Sequence, residues 1–156
     1  MKKFTFNLER VLSYREQVEK EKQVALTKVQ QLVADHESRL LEAYSVLETA
    51  RGELRSQLGG GLLDVQRAKE QRRYIAILKE RVSAVLKRLR KLEILLNQRR
   101  DEAVQARKER KVLEMLKGRR RRAYMKELDR AEVVELDDLV GKKEAAKRMG
   151  VVEDVS

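Results

Sequence analysis

The sequence predicts an all-α fold: two long helices forming an antiparallel coiled-coil hairpin, with the second helix longer and overhanging. Three observations predict it. Of 156 residues, 40% are charged and 4% aromatic, and there is no Pro, Cys or Trp. That alphabet, mostly Leu, Ala, Glu, Lys, Arg, Gln and Val, belongs to long helices rather than to a compact globule, and missing proline removes their main breaker. Second, Ile75, Leu78, Val82, Val85, Leu89, Leu92 and Leu96 recur at alternating steps of three and four. Such a heptad seam puts one narrow apolar stripe on a helix and requires a partner helix to cover it. Third, Gly59, Gly60 and Gly61 interrupt the pattern, offering a reversal the φ > 0 conformations it needs.

The first helix is expected over about residues 4–58. Phe4, Leu8, Val11, Leu12, Tyr14, Val18, Ala25, Val29 and Leu32 begin it, and Leu40, Ala43, Leu47, Ala50, Leu54 and Leu58 continue it. The spacing is near 3.5, with a phase ambiguity at Arg39–Leu40 that reads as a local stutter. A turn follows at about 59–63 and a second helix at about 65–140, so 1–140 forms a single hairpin and 141–156 a frayed tail. Counting outward from the turn sets Ile75 opposite Leu47, Val82 opposite Leu40, Val85 opposite His36 and Leu92 opposite Val29. Further out, Arg99 meets Lys22 and Leu113 reaches Leu8, so the loop half is well zipped and the open half more polar. By the same count, residues from Gly118 to about Val140 have no partner in the chain, some ~35 Å of helix. Ala123, Leu128, Ala131, Val134, Leu136 and Leu139 dot that overhang, so it awaits another protein or stays disordered.

No enzyme constellation is present, and a non-enzymatic protein without cofactor or metal is expected. Gly59-Gly60-Gly61 lacks the GK[ST] of a phosphate loop. The carboxylates are scattered at helix spacing, as in Glu16–Lys20 and Glu144–Arg148, where weak i,i+4 pairs are their ordinary use. His36, the single histidine, has no companion ligands and reads as a polar seam residue that helps fix register. Without cysteine there is no disulfide or thiolate site, no apolar run approaches the ~20 residues of a membrane span, and the start lacks the apolar core of a signal peptide. A cytoplasmic protein is the default expectation.

The net charge of +11 favours acidic partners. Arg119, Arg120, Arg121 and Arg122 are the densest charge and spread round the whole helix circumference. A solvated segment, an acidic protein surface, and nucleic acid or lipid are all open readings. Position at the head of the overhang favours the acidic protein, and the lack of interleaved aromatics counts against single-strand binding. Tyr44, Val46, Tyr74 and Leu78 cluster near the loop end; they cannot all face one seam, which marks an interaction patch. Phe4 and Phe6 read as staple residues packing on the second helix.

The opening Phe4-Thr-Phe6-Asn-Leu8-Glu-Arg-Val11-Leu12-Ser-Tyr-Arg15 resembles the start of the flagellar export protein FliJ family. So does Ala103-Val-Gln-Ala-Arg107-Lys108-Glu-Arg-Lys-Val-Leu113-Glu-Met-Leu116-Lys117, followed by basic residues, Tyr124 and Glu135-Leu136-Asp137-Asp138-Leu139. The likeness covers nearly the whole chain, including the Gly-rich turn. It implies a coiled coil similar to the γ stalk of rotary ATP synthases, cytoplasmic and peripheral at the inner membrane within the type III export apparatus. It implies binding and stimulation of the hexameric export ATPase FliI, contact with the export gate FlhA, and escort of export chaperones, with no nucleic acid. Carried onto this chain, the ATPase-ring end would use Phe4, Leu8, Arg119, Arg120, Arg121, Arg122, Tyr124 and Leu128. The gate contact near the loop would use Arg39, Ala43, Val46, Ala50, Tyr74 and Leu78. Competing readings are a stalk or rotor-like subunit of another ATPase, a basic nucleic-acid-associated coiled coil, and a homodimer whose seams pair between chains.

Overall fold

The computed structural model describes residues 3–61 and 64–153; Leu62 and Leu63 of the expected turn lie outside the described residues. Two helices, α1 (Glu9–Gly59) and α2 (Val65–Glu153), pack antiparallel against each other, α2 being the longer, with no strand among the described residues. Both boundaries between them have local causes. Gly61 adopts a φ of 50°, the conformation that an L side chain resists. Asp64 then caps α2: its Oδ1 accepts the N–H groups of Gln66 and Arg67 at 3.1 and 3.2 Å. Those are two of the donors a helix start leaves without partners.

The outer ends differ from the sequence expectation. Helix α1 starts at Glu9 rather than near Phe4, and residues 3–6 before it are neither helix nor turn. Helix α2 continues to Glu153 instead of fading after Gly141. Gly141 alone costs about 1 kcal/mol, and the Lys-Lys-Glu-Ala-Ala-Lys-Arg-Met run that follows consists of good helix formers.

The chain divides into two compact units: Gln17–Arg107, and Met1–Glu16 with Lys108–Ser156. In the first, the seam of α2 is the predicted one, and Ile75, Leu78, Val82, Leu89 and Leu92 are buried. The α1 seam runs through Leu26, Val29, Val33, His36, Leu40, Ala43, Leu47, Ala50, Leu54 and Gln57, each buried or half-buried, with unbroken steps of three and four. The stutter expected at Arg39–Leu40 is therefore absent. Leu32 is exposed and Val33 takes the seam in its place; Leu58 is likewise exposed and Gln57 half-buried. Leu47, Ala50, Ile75, Leu78 and Val82 form the tightest cluster, with Leu40, Ala43, Leu54 and Leu86 against it.

The open-end unit is more polar, as the composition of its seam implied. Its buried apolar side chains among the described residues are Phe6 and Leu12, while the expected seam members Val11 and Tyr14 are exposed. Arg15 sits half-buried in their stead and pairs with Glu109. An arginine can occupy such a position because its aliphatic stem covers apolar surface while its head reaches a carboxylate.

Candidate functional site

Within the open-end unit, the segment before α1 lies on α2. The Phe4 and Tyr124 rings are 5.6 Å apart and tilted, and the Arg120 guanidinium stands 5.6 Å from the Phe6 ring centre. The same guanidinium donates to Asn7 Oδ1 at 2.7 Å, and Lys117 Nζ donates to Glu9 Oε1 at 2.8 Å. Phe4 and Phe6 thus pack on the second helix as the sequence predicted. This also shortens the uncovered stretch. Gly118–Tyr124 is not bare: with Phe4 against Tyr124 and Asn7 bonded to Arg120, the segment ahead of Glu9 reaches further along α2 than the count assumed. Leu128 and Ala131 are still half-buried, and from Glu132 to Gly150 every residue is exposed.

Of the residues assigned to the ring-binding end, Phe4, Leu8, Tyr124 and Leu128 are half-buried, and the four arginines are exposed. Arg120 serves the N-terminal segment through Asn7 and Phe6, which leaves Arg119, Arg121 and Arg122 as the outward cations of the run. Val112 and Met115, both exposed, line an apolar hollow with Leu116 and Arg119. Sequence reasoning missed the pairing of Asn7 and Glu9 with Arg120 and Lys117; a run of acceptors ahead of a helix start, in a chain rich in cations, was the available signal.

In the other unit, the residues assigned to the gate separate into two sets. Arg39, Val46 and Tyr74 are exposed. Ala50 and Leu78 are core, at 2% and 3% exposure, and Ala43 packs half-buried against the same cluster. Tyr44 lies exposed beside Val46, so the aromatic and apolar surface near the loop end comes from Tyr44, Val46 and Tyr74 without Leu78.

The counted encounter of Lys22 with Arg99 is mediated by a third group. Glu102 accepts from Arg99 at 3.0 Å and from Lys22 at 3.3 Å. The Arg99 hydrogen bond first, and Lys22 second, hold its carboxyl below the usual glutamate value. His36 is half-buried on the seam, its Nδ1 2.8 Å from the Leu32 carbonyl oxygen. No helix among the described residues is long and apolar enough to cross a membrane.

Comparison with known proteins gave one finding. The family model described as FliJ, flagellar FliJ protein, matches residues 4–148. No curated protein and no solved structure matched the chain.

Proposed function

The chain belongs to the flagellar FliJ protein family, and from that premise we propose that it is a non-enzymatic coupling stalk of the flagellar export apparatus. In this reading the open end enters the hexameric export ATPase FliI and promotes its hydrolysis. The loop end meets the export gate FlhA, and the protein hands over export chaperones between them.

One observation supports the ring contact above the rest. Helix α2 continues past the last residue its own chain covers, so that Glu132–Gly150 stays exposed with Val133, Val134, Leu136 and Leu139 on it. Arg119, Arg121 and Arg122 stand just ahead of that stretch and are free of the contacts that engage Arg120. An exposed helix carrying both apolar and cationic side chains suits an acidic-lined socket, where charge sets approach and orientation and apolar burial holds the complex. For the gate, the exposed Arg39, Val46 and Tyr74 remain as contacts, and Ala43, Ala50 and Leu78 act by keeping the two helices in place beneath them.

The test is stimulation of ATP hydrolysis by the purified export ATPase. A chain with Arg119→Glu, Arg121→Glu and Arg122→Glu keeps the N-terminal clamp and should lose stimulation at physiological salt. Ending the chain after Ala131 should lose it as well. Undiminished stimulation by both would overturn the assignment of the ring contact. Replacing Val46 and Tyr74 by Ala should weaken gate binding and leave the ATPase response unchanged.

A further inference from the structure

Charge is distributed unevenly in the Gln17–Arg107 unit. Between Arg67 and Lys91, α2 carries ten Lys or Arg and two Glu, a net +8 of the whole chain's +11. All ten cationic side chains are exposed. Among the described residues none of them has a carboxylate at ion-pair distance, whereas Arg15, Lys22, Arg99, Arg110 and Lys117 elsewhere all have one. Two of the nearby carboxylates accept from glutamines, Glu70 from Gln66 although Arg67 and Arg73 lie three places away, and Glu53, across the seam, from Gln71; Glu80 has no Lys or Arg three or four places away along the helix. The facing part of α1, residues 33–58, holds five carboxylates against three arginines, so it is slightly acidic. The excess positive charge therefore belongs to α2 alone.

It also has a face. Arg73, Ile77, Ala84, Lys87, Lys91 and Ile94 follow one another at helical spacing on the side of α2 opposite its seam. Lys69 and Arg90 flank them on one side and Arg67, Arg81 and Arg88 on the other, and Glu70 and Glu80 are the two carboxylates on the row. Ile77 and Ile94 are 49% and 62% exposed. A straight row ~30 Å long, bordered by cations and carrying isolated exposed apolar side chains, is the pattern of a helix that lies along a charged interface. We propose that the back of α2 from Arg67 to Ile94 binds the surface of an anionic phospholipid bilayer, with Ile77 and Ile94 entering the headgroup boundary and the lysines and arginines engaging lipid phosphates. A plane accepts a long straight row in full, while a nucleic-acid duplex would meet it only where its grooves and backbones cross, and would give exposed isoleucines nothing to bury against. The surface is argued from the cations of α2 with Ile77 and Ile94 and uses neither Arg39, Val46 nor Tyr74, so it stands whether or not the gate assignment does.

Flotation of the intact protein with vesicles tests it. Vesicles of three parts phosphatidylcholine to one part phosphatidylglycerol should bind the protein, and pure phosphatidylcholine vesicles should not. Binding should be largely lost between about 0.05 M and about 0.5 M salt as screening shortens. Combining Lys69→Glu, Arg73→Glu, Lys87→Glu and Lys91→Glu should lower the partition coefficient by more than about a hundredfold. These side chains have no partners to lose, and circular dichroism should show unchanged helix; if helix is lost, the four Gln substitutions give the same comparison. Ile77→Ser with Ile94→Ser should reduce vesicle binding several-fold and leave binding to a short DNA duplex unaltered. Equal binding to neutral and anionic vesicles, or undiminished binding by the charge variants, would overturn the proposal. So would an Ile77/Ile94 variant indistinguishable from the parent on vesicles, since that describes a general polyanion binder.

Discussion

Leu78 and Tyr74 are four residues apart on one helix, and their substitutions should have opposite consequences. Leu78 is 3% exposed in the cluster with Leu47, Ala50, Ile75 and Val82, while Tyr74 is 44% exposed. Leu78→Ala removes three carbons from a dry site, at ~0.8 kcal/mol per methylene-sized group, so the transfer part is about 2.4 kcal/mol. A residual cavity adds to this, but two helices flanked by solvent relax more easily than a globular core, which keeps the total near the lower end of the usual 2–5 kcal/mol. The better helix propensity of alanine returns only a few tenths of a kcal/mol. The expected loss is therefore about 2.5–3 kcal/mol, measured by urea unfolding followed by circular dichroism. Tyr74→Ala should cost less than about 1 kcal/mol in the same assay. Any gate-binding defect of Leu78→Ala should recover under conditions that restore the fold, and that of Tyr74→Ala should not. A loss below about 1 kcal/mol for Leu78→Ala, or an equal loss for both, would refute the division into core and surface.

Three further outcomes follow from the geometry. Because Glu102 titrates below its ordinary value, its bonds to Arg99 and Lys22 stabilise the fold above about pH 4.5 and lose that effect as pH falls through the depressed value; Glu102→Gln should flatten this part of an acid-unfolding curve, and a curve identical to the parent's would count against the triad. Removing the α2 cap with Asp64→Ala should cost about 1 kcal/mol and raise amide exchange first at Gln66 and Arg67, whose N–H groups it accepts. A double-mutant cycle on Phe4→Ala and Tyr124→Ala, read from hydrogen exchange in the first turn of α1, should give a coupling of about 0.5–1.5 kcal/mol; additive effects would mean that the rings touch without holding the segment.

What the sequence disclosed depended on whether apolar residues alone marked the seam. On α2 between Ile75 and Leu96 they did, and the predicted positions are all buried or half-buried. On α1 the same rule slipped wherever two apolar residues competed for one position. Leu32 and Val33 are neighbours, and choosing Leu32 created a phase break that the unbroken sequence of Val29, Val33, His36 and Leu40 does not have. His36 is read as a seam residue from the sequence, and a step of three back from it selects Val33 rather than Leu32. The burial that separated Leu78 from Tyr74 was likewise available from the heptad, since Leu78 belongs to the organising stripe and Tyr74 does not.

The open end was less legible for a physical reason that bears on its function. Its seam positions include Arg15 and Lys117, paired with Glu109 and Glu9, and such residues look in sequence like any other surface charges. Their pairing depends on a partner distant in the chain, so no local period reports it. Exposed or half-exposed ion pairs contribute little to stability and can be exchanged for others at small cost, unlike a buried leucine whose removal leaves a cavity. A terminal half held in this way keeps its two helices in register while leaving its cations available to compete for carboxylates on another surface. The loop half, held by Leu47, Ala50, Ile75, Leu78 and Val82, has no such alternative. If the ring lining is acidic, raising salt should therefore weaken the clamp at Glu9–Lys117 and the ring contact together, and leave the apolar cluster near the loop unaffected.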